Sequence, residues 1–282
     1  MLPDHLAARL GSLEPVPTGV APVLPGQLGV EAILFDVYGT LFISGSGDIS
    51  LARSENRAGD ALAALLLKYG IDTDPGIFRK RFFKAIEDSH AASRQKGVRH
   101  PEVEIDNIWQ TVAEFEDPQR ARAFAIEYEV MVNPVGPMPH LSELLAACRH
   151  AGIPMGIISN AQFFTPLLFE WFLDRTPATL GFTKSLLFYS WQWGLAKPAE
   201  KLFQEARRRL TRRGIAPGKT LYIGNDMLND IVPARSTGFQ TALFAGDKRS
   251  LRLRAGEPRC SGIEPDMVVT DLIQLVDFLK NK

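Results

Sequence analysis

Ala32-Ile33-Leu34-Phe35-Asp36-Val37-Tyr38-Gly39-Thr40 sets the reading of this chain. Four apolar residues run without a break, as in a strand buried on both faces of a parallel sheet, and end at a carboxylate and a glycine–hydroxyl turn. Open parallel α/β sheets bind ligands beyond the carboxyl ends of their strands, so Asp36 stands where such a sheet does its chemistry. The arrangement recurs. Ile153–Ile158 runs into Ser159-Asn160, and Leu186–Ser190 precedes Lys197-Pro198 at the start of a helical stretch. Thr220–Gly224 runs into Asn225-Asp226-Met227-Leu228-Asn229-Asp230. Any one of these is an ordinary turn, cap or loop. All four in order place a carboxylate, a hydroxyl, a lysine and a carboxylate pair on one rim.

Helical patterns separate these strands. Leu141, Leu144, Leu145 and Cys148 give one face before Gly152, a second helix spans about 162–172, and a third runs over 197–210. Gln240–Ala245 and Met267–Thr270 read as two more strands, and Asp271 caps a final helix carrying Leu272, Leu275, Val276 and Leu279. Strands alternating with helices argue for right-handed βαβ units and a parallel sheet, hence an α/β fold. From Asp48 to Met138 the pattern is helical throughout. Ala61, Leu62, Leu65, Leu66 and Tyr69, then Phe78, Phe82 and Ile86, then Ile108, Val112 and Phe115, then Phe124, Tyr128 and Met131 predict four helices. The expected organisation is an arm over 1–29, rich in Gly and Pro, a core over 30–47 and 139–282, and an all-α insert over 48–138.

Composition narrows the class. The 282 residues carry 32 Lys plus Arg against 32 Asp plus Glu, which argues against a nucleic-acid binder held by bulk charge. The basic run Arg207–Arg213 falls at the end of an amphipathic helix and reads as a solvated face. No apolar run reaches the roughly 18 residues of a membrane span, and Met1–Leu10, with Asp4, His5 and Arg9, does not read as a signal peptide. Two cysteines cannot make a disulfide framework or a cysteine-based zinc site. The expectation is a cytoplasmic protein without nucleic-acid or membrane partners.

With its four motifs in this order and a helical block after the first, the chain from Ile33 to its C-terminus resembles the haloacid dehalogenase-like hydrolases. The resemblance implies a Rossmann-like parallel-sheet core with an inserted all-α cap that closes over the substrate. Asp36 matches the family's nucleophile, Ser159 the hydroxyl that holds the transferring group, and Lys197 the cation that neutralises it. Asp226 and Asp230 match the acidic metal-binding motif, with Asn225 standing where many members have its first Asp. The expected ion is Mg²⁺, held by Asp36, the Tyr38 carbonyl and Asp226, with Asp230 a direct ligand or just behind one. Gly39, Thr40, Ser159, Asn160 and Lys197 are the expected contacts to a small anionic substrate.

A carboxylate attacking a phosphate brings two anions together, and cations must offset the repulsion. Tyr38 departs from the family's phosphatases, which usually carry a second Asp there as acid and base. Asp-x-Tyr-Gly-Thr is similar to the family's 2-haloacid dehalogenases, which need no metal. Those usually lack the acidic pair and carry an Arg soon after the first motif, whereas 41–50 contains none. Two carboxylates set close together argue for a cation. The leading expectation is therefore a magnesium-dependent phosphohydrolase working through an aspartyl-phosphate. A dehalogenase and a non-catalytic phospholigand binder stay open beside it. His90, Arg94, Lys96, Arg99 and His100 could reach an anion from the cap, though a solvated helix end accounts for them as well. Lys248, Arg249, Arg252 and Arg254 could add positive potential at the rim.

Overall fold

The computed structural model describes residues 13–26, 28–46 and 58–280. In chain order come β1 (Ala32–Phe35), β2 (Phe42–Ser44), four helices α1 (Ala58–Lys68), α2 (Pro75–Gln95), α3 (Ile105–Val112) and α4 (Pro118–Val132), and then β3 (Val135–Pro137). Alternation follows: α5 (Leu141–His150), β4 (Met155–Ser159), α6 (Leu167–Leu173), β5 (Phe182–Tyr189), the short α7 (Ser190–Trp193) and α8 (Glu200–Thr211). The chain ends with β6 (Thr220–Gly224), α9 (Val232–Ser236), β7 (Gln240–Phe244), β8 (Met267–Val269) and α10 (Ile273–Lys280). The start of the expected insert, 48–57, lies outside the described residues.

Six strands form one parallel sheet in the order β5-β4-β1-β6-β7-β8. The chain builds from β1 out to β4 and β5, then crosses to β6, so the order reverses beside β1. Phe35 is in register with Ile157 on one side and Ile223 on the other. The strand end carrying Asp36 is thus flanked by the ends of β4 and β6, at the crevice where such sheets take ligands. Alternate residues of β1 enter different cores. Ile33 and Phe35 pack with Leu144, Leu145 and Leu275 on one face, and Ala32 and Leu34 with Leu202, Phe203 and Ala206 on the other. That double burial explains the unbroken apolar run.

The four helices have a core of their own, built on Phe78, Phe82, Trp109, Phe124 and Tyr128. Two of them start alike: Asp74 before Pro75 accepts the Ile77 N–H at 2.9 Å, and Asp117 before Pro118 accepts the Gln119 N–H at 2.9 Å. A capping carboxylate followed by proline suits a first turn whose N–H groups have no helical partner.

Several details differ from the sequence reading. β2 and β3 pair antiparallel where the chain leaves for the cap and returns, a ribbon of three residues on each side. Strand β5 begins four residues earlier than the expected Leu186–Ser190. Helix α8 begins at Glu200 rather than Lys197, because a residue before proline is biased out of the helical region. The described part of the arm is tied to the core: Val23 bridges Val268, and the Thr18 hydroxyl donates to the Ala245 carbonyl at 2.8 Å. Arg208 and Arg209 pair with Glu205 on their own helix, as expected of a solvated face. Among the described residues no helix is long and apolar enough to cross a membrane.

Candidate active site

Asp36, Tyr38, Asn160, Lys197, Asp226 and Asp230 line one cavity of about 300 Å³ above the carboxyl ends of β1, β4 and β6. At its floor the buried Lys197 ammonium joins two carboxylates, with Nζ 2.8 Å from Asp36 Oδ1 and 2.5 Å from Asp230 Oδ1. Burial works against that ammonium, but the adjoining Asp230 and Asp36 carboxylates outweigh it and hold its pKa above the ordinary lysine value. Asn160 fixes the lysine's main chain, its Oδ1 accepting the Lys197 N–H at 2.6 Å.

Asp230 is fully buried and both its oxygens are engaged. Oδ1 takes Lys197 and lies 2.8 Å from the Tyr222 hydroxyl, and Oδ2 accepts the Asp226 N–H at 2.9 Å. Burial pushes its carboxyl up to about 6, with Lys197 opposing and the Asp36 and Asp226 charges adding to the shift. Gly224 makes room for it, since a Cβ there would lie 2.4 Å from Asp230 Cγ. Asp226 sits on the cavity rim. Its Oδ1 accepts the Leu228 and Asn229 N–H groups at 2.9 and 3.2 Å, and its Oδ2 accepts Asn229 Nδ2 at 3.0 Å. Arg254 grips it in bidentate fashion, with Nε 3.0 Å from Oδ1 and Nη2 2.5 Å from Oδ2. The loop bearing Arg254 is zipped to the acidic motif: the Arg252 N–H donates to the Asn225 carbonyl, and the Met227 N–H to the Arg252 carbonyl, both at 2.9 Å.

Tyr38 lines the same cavity, with its hydroxyl 3.1 Å from Thr165 Oγ1. Burial first, then the Glu129 and Asp36 charges, push its phenol well above the ordinary tyrosine value, so the group stays protonated. It can donate a hydrogen bond and cannot act as a base near neutrality.

Three expected contact residues stand behind the cavity surface rather than on it. Ser159 is fully buried at the end of β4. Thr40 donates to Asn225 Oδ1 at 3.2 Å, which ties the first motif to the fourth. Gly39 turns with φ +76°, and a Cβ there would sit 2.4 Å from Ser250 Cβ, so glycine is what lets these loops close. Of the basic cap cluster, His90 lines a cavity in the cap itself. Arg94, Lys96 and Arg99 are exposed.

Sequence reasoning missed Tyr222, which sits inside a continuously apolar strand and carries no signal there. It also missed Glu102, Glu129, Asn133 and Gln162, which reach the cavity from the cap and the loop after β4. Helical periodicity marks faces, not what a face meets in space.

Magnesium takes hard oxygen donors and keeps several waters. The Asp36 and Asp226 carboxylates with the Tyr38 carbonyl are donors of that kind. Among the described residues no three His, Cys, Asp or Glu side chains form a metal cluster, so an ion here would have to draw on these two carboxylates, a main-chain carbonyl and water. The guanidinium on Asp226 already marks that carboxylate as a seat for positive charge.

A family model for haloacid dehalogenase-like hydrolases matches residues 30–238. The chain is 24% identical over 256 residues to the glyceraldehyde 3-phosphate phosphatase of Methanocaldococcus jannaschii, covering 89% of this chain and 98% of that protein. Among solved structures, a HAD phosphatase from Thermococcus onnurineus superposes with TM-score 0.53 at 17% identity, over 90% of this chain and 99% of its own. The 2-haloacid dehalogenase of Pseudomonas syringae pv. Tomato DC3000 superposes with TM-score 0.53 at 18% identity, over 89% and 98%. At such identities the two superpositions speak to the fold alone.

Proposed function

The chain belongs to the haloacid dehalogenase-like hydrolases, and on that footing we propose that it is a magnesium-dependent phosphohydrolase acting on a small phosphate ester through an aspartyl-phosphate at Asp36. The observation that carries this reading is the floor of the cavity, where one buried lysine joins Asp36 to Asp230 and a further carboxylate, Asp226, stands on the rim. The similarity to a phosphatase over nearly the whole chain supports it.

In this mechanism an Asp36 oxygen attacks phosphorus, the bond to the ester oxygen breaks, and the leaving group departs with the bonding pair. Water then attacks the same phosphorus, releasing inorganic phosphate and restoring the carboxylate. Lys197 supplies a fixed positive charge beside the attacking oxygen and costs no rearrangement during the reaction. Asp230 and Tyr222 hold that lysine in place, so Asp230 orients the ammonium and the Asp226 main chain rather than binding an ion itself. Magnesium, held by Asp36, the Tyr38 carbonyl and Asp226, would add a second neutralising charge on the phosphoryl oxygens. Because Arg254 engages both Asp226 oxygens, holding the ion there would require that guanidinium to release one of them. Tyr38, locked as a neutral phenol, can donate to the ester oxygen but cannot activate the water. Esters whose leaving groups need no protonation are the better substrates.

One observation favours a second reading. Tyr38 in place of a carboxylate, together with a guanidinium already seated on Asp226, suits displacement of halide from a 2-halo acid, with arginine binding the substrate carboxylate. Nitrophenyl phosphate hydrolysis and chloride release from a 2-chloro acid, each measured with magnesium and with chelator, separate the two. The expected result is magnesium-dependent nitrophenol release, lost in Asp226→Asn. Tyr38→Asp is expected to raise that rate by up to about 10²–10⁴-fold, the usual worth of a positioned acid–base group. Halide release that survives chelation and is lost in Tyr38→Asp would overturn the choice.

A further inference from the structure

The cavity over Asp36 continues into a second chamber of about 150 Å³ inside the cap, the two sharing Ser46, Glu102, Glu129, Asn133, Gln162 and Phe164. The far walls of that chamber are apolar: Phe82, Phe83, Ile86, Trp109, Tyr128 and Val132. Phe82 and Trp109 are stacked with their rings 3.7 Å apart, which gives the chamber a rigid aromatic side. A dry apolar space of roughly this size accepts a benzene-sized group.

Glu129 of α4 stands at the neck between the two chambers. It is partly buried, and its described hydrogen bond is a single one, Oε1 accepting Asn133 Nδ2 at 3.0 Å. Among the described residues no cation pairs with it. Glu102, at the same neck, contrasts with it. Its oxygens accept the Ser190 hydroxyl at 2.7 Å, the Val103 N–H at 2.9 Å and Gln162 Nε2 at 3.3 Å, so Glu102 is a finished wall. Beside Glu129 the Ser46 hydroxyl is buried without a hydrogen-bond partner, as is His90 Nε2 in the aromatic chamber.

Lys197, Arg252 and Arg254 line the cavity together with Asp36, Asp226 and Asp230, whereas Glu129 is shared with the cap chamber, whose described lining holds no lysine or arginine. A carboxylate partly withdrawn from water beside apolar walls, with no cation paired to it, is stabilised by a ligand that brings one. Burial pushes the Glu129 carboxyl above the ordinary range, as expected for such a group.

We propose that the natural substrate is an amine-bearing phosphate monoester, whose ammonium pairs with Glu129 at the neck and whose apolar end enters the aromatic chamber of the cap. The inference rests on the phosphohydrolase reading above and adds the class of the leaving group. The Ser46 hydroxyl and His90 supply further hydrogen bonds along the path.

Three esters test it: nitrophenyl phosphate, the phosphate of phenylalaninol, and its deaminated analogue 3-phenylpropyl phosphate. The expected result is a preference of at least about tenfold in kcat/KM for the amine over the deaminated ester, as a hydrogen-bonding site rejects an analogue lacking the group it was built for. Glu129→Gln should collapse that ratio towards one, and Glu129→Asp should keep most of it. The parent's own ratio decides even where a variant fails to fold. Hydrolysis of nitrophenyl phosphate with no preference for the amine, or a preference untouched by Glu129→Gln, would overturn this inference and leave the phosphohydrolase reading standing. No hydrolysis of any of the three with magnesium present would remove that reading, and this one with it.

Discussion

Lys197 is the residue on which the charge balance of the site turns. Its ammonium is buried between Asp36 and Asp230, and removing one partner of such a network leaves the others uncompensated. Lys197→Ala is expected to destabilise the fold by about 3–5 kcal/mol at neutral pH, read by urea unfolding. The sign of the pH effect follows. Without the lysine, nothing opposes the burial that already raises the Asp230 carboxyl, so the folded state takes up a proton there before the unfolded chain does. Acidifying from pH 7 to pH 5 should therefore shrink the gap between variant and parent. A gap that widens on acidification would mean that the carboxylates find another cation. The sequence marks Asp36, Lys197, Asp226 and Asp230 because each follows an apolar run or opens a helix, and strand ends are where a parallel sheet binds. It does not mark Glu129. That residue lies on a helix of ordinary pattern, and its character comes from what surrounds it once the cap is seated.

At the scale of elements, two connections set how the cap meets the core. One is the β2–β3 ribbon, where Asn133 Oδ1 accepts the Ser44 hydroxyl at 2.9 Å and the Ser46 N–H at 3.1 Å. The other is a clasp between the α2–α3 loop and the loops after β4 and β5. Gln162 accepts the Ile105 N–H at 3.0 Å and donates to the Val103 carbonyl at 3.0 Å, while Pro101 bridges Leu195 two residues before Lys197. Gln162→Ala leaves the part-buried Ile105 N–H and the buried Val103 carbonyl without these partners, a loss of about 1–3 kcal/mol. Hydrogen exchange at Ile105 is expected to quicken, with the β1 amides unaffected. Equal acceleration in both would mean global weakening and no clasp. Neither connection is legible in the sequence. Strands of three residues containing Gly136 and Pro137 carry no alternation, and a lone glutamine after a strand has no periodic partner. The α/β alternation and the four cap helices are legible, because each buries a repeating apolar face long enough to count.

The whole molecule joins a parallel sheet, whose strand order reverses beside Asp36, to a helical cap that carries its own aromatic core. Its net charge is zero, and the cavity is lined by the cations Lys197, Arg252 and Arg254 and by the carboxylates Asp36, Glu102, Glu129, Asp226 and Asp230, so an anionic substrate would need an added cation there. The sheet presents Asp36 and the cap lines the space beside it, and in the proposed reaction both serve one covalent event at Asp36. Acid quenching during turnover of nitrophenyl phosphate with magnesium, followed by mass spectrometry of the peptide that contains Asp36, observes that event directly. A phosphoryl group on Asp36 in the parent, absent from Asp36→Asn and from the chelated enzyme, is the predicted result. Steady turnover with Asp36 unmodified, matched by the Asp36→Asn variant, would contradict it.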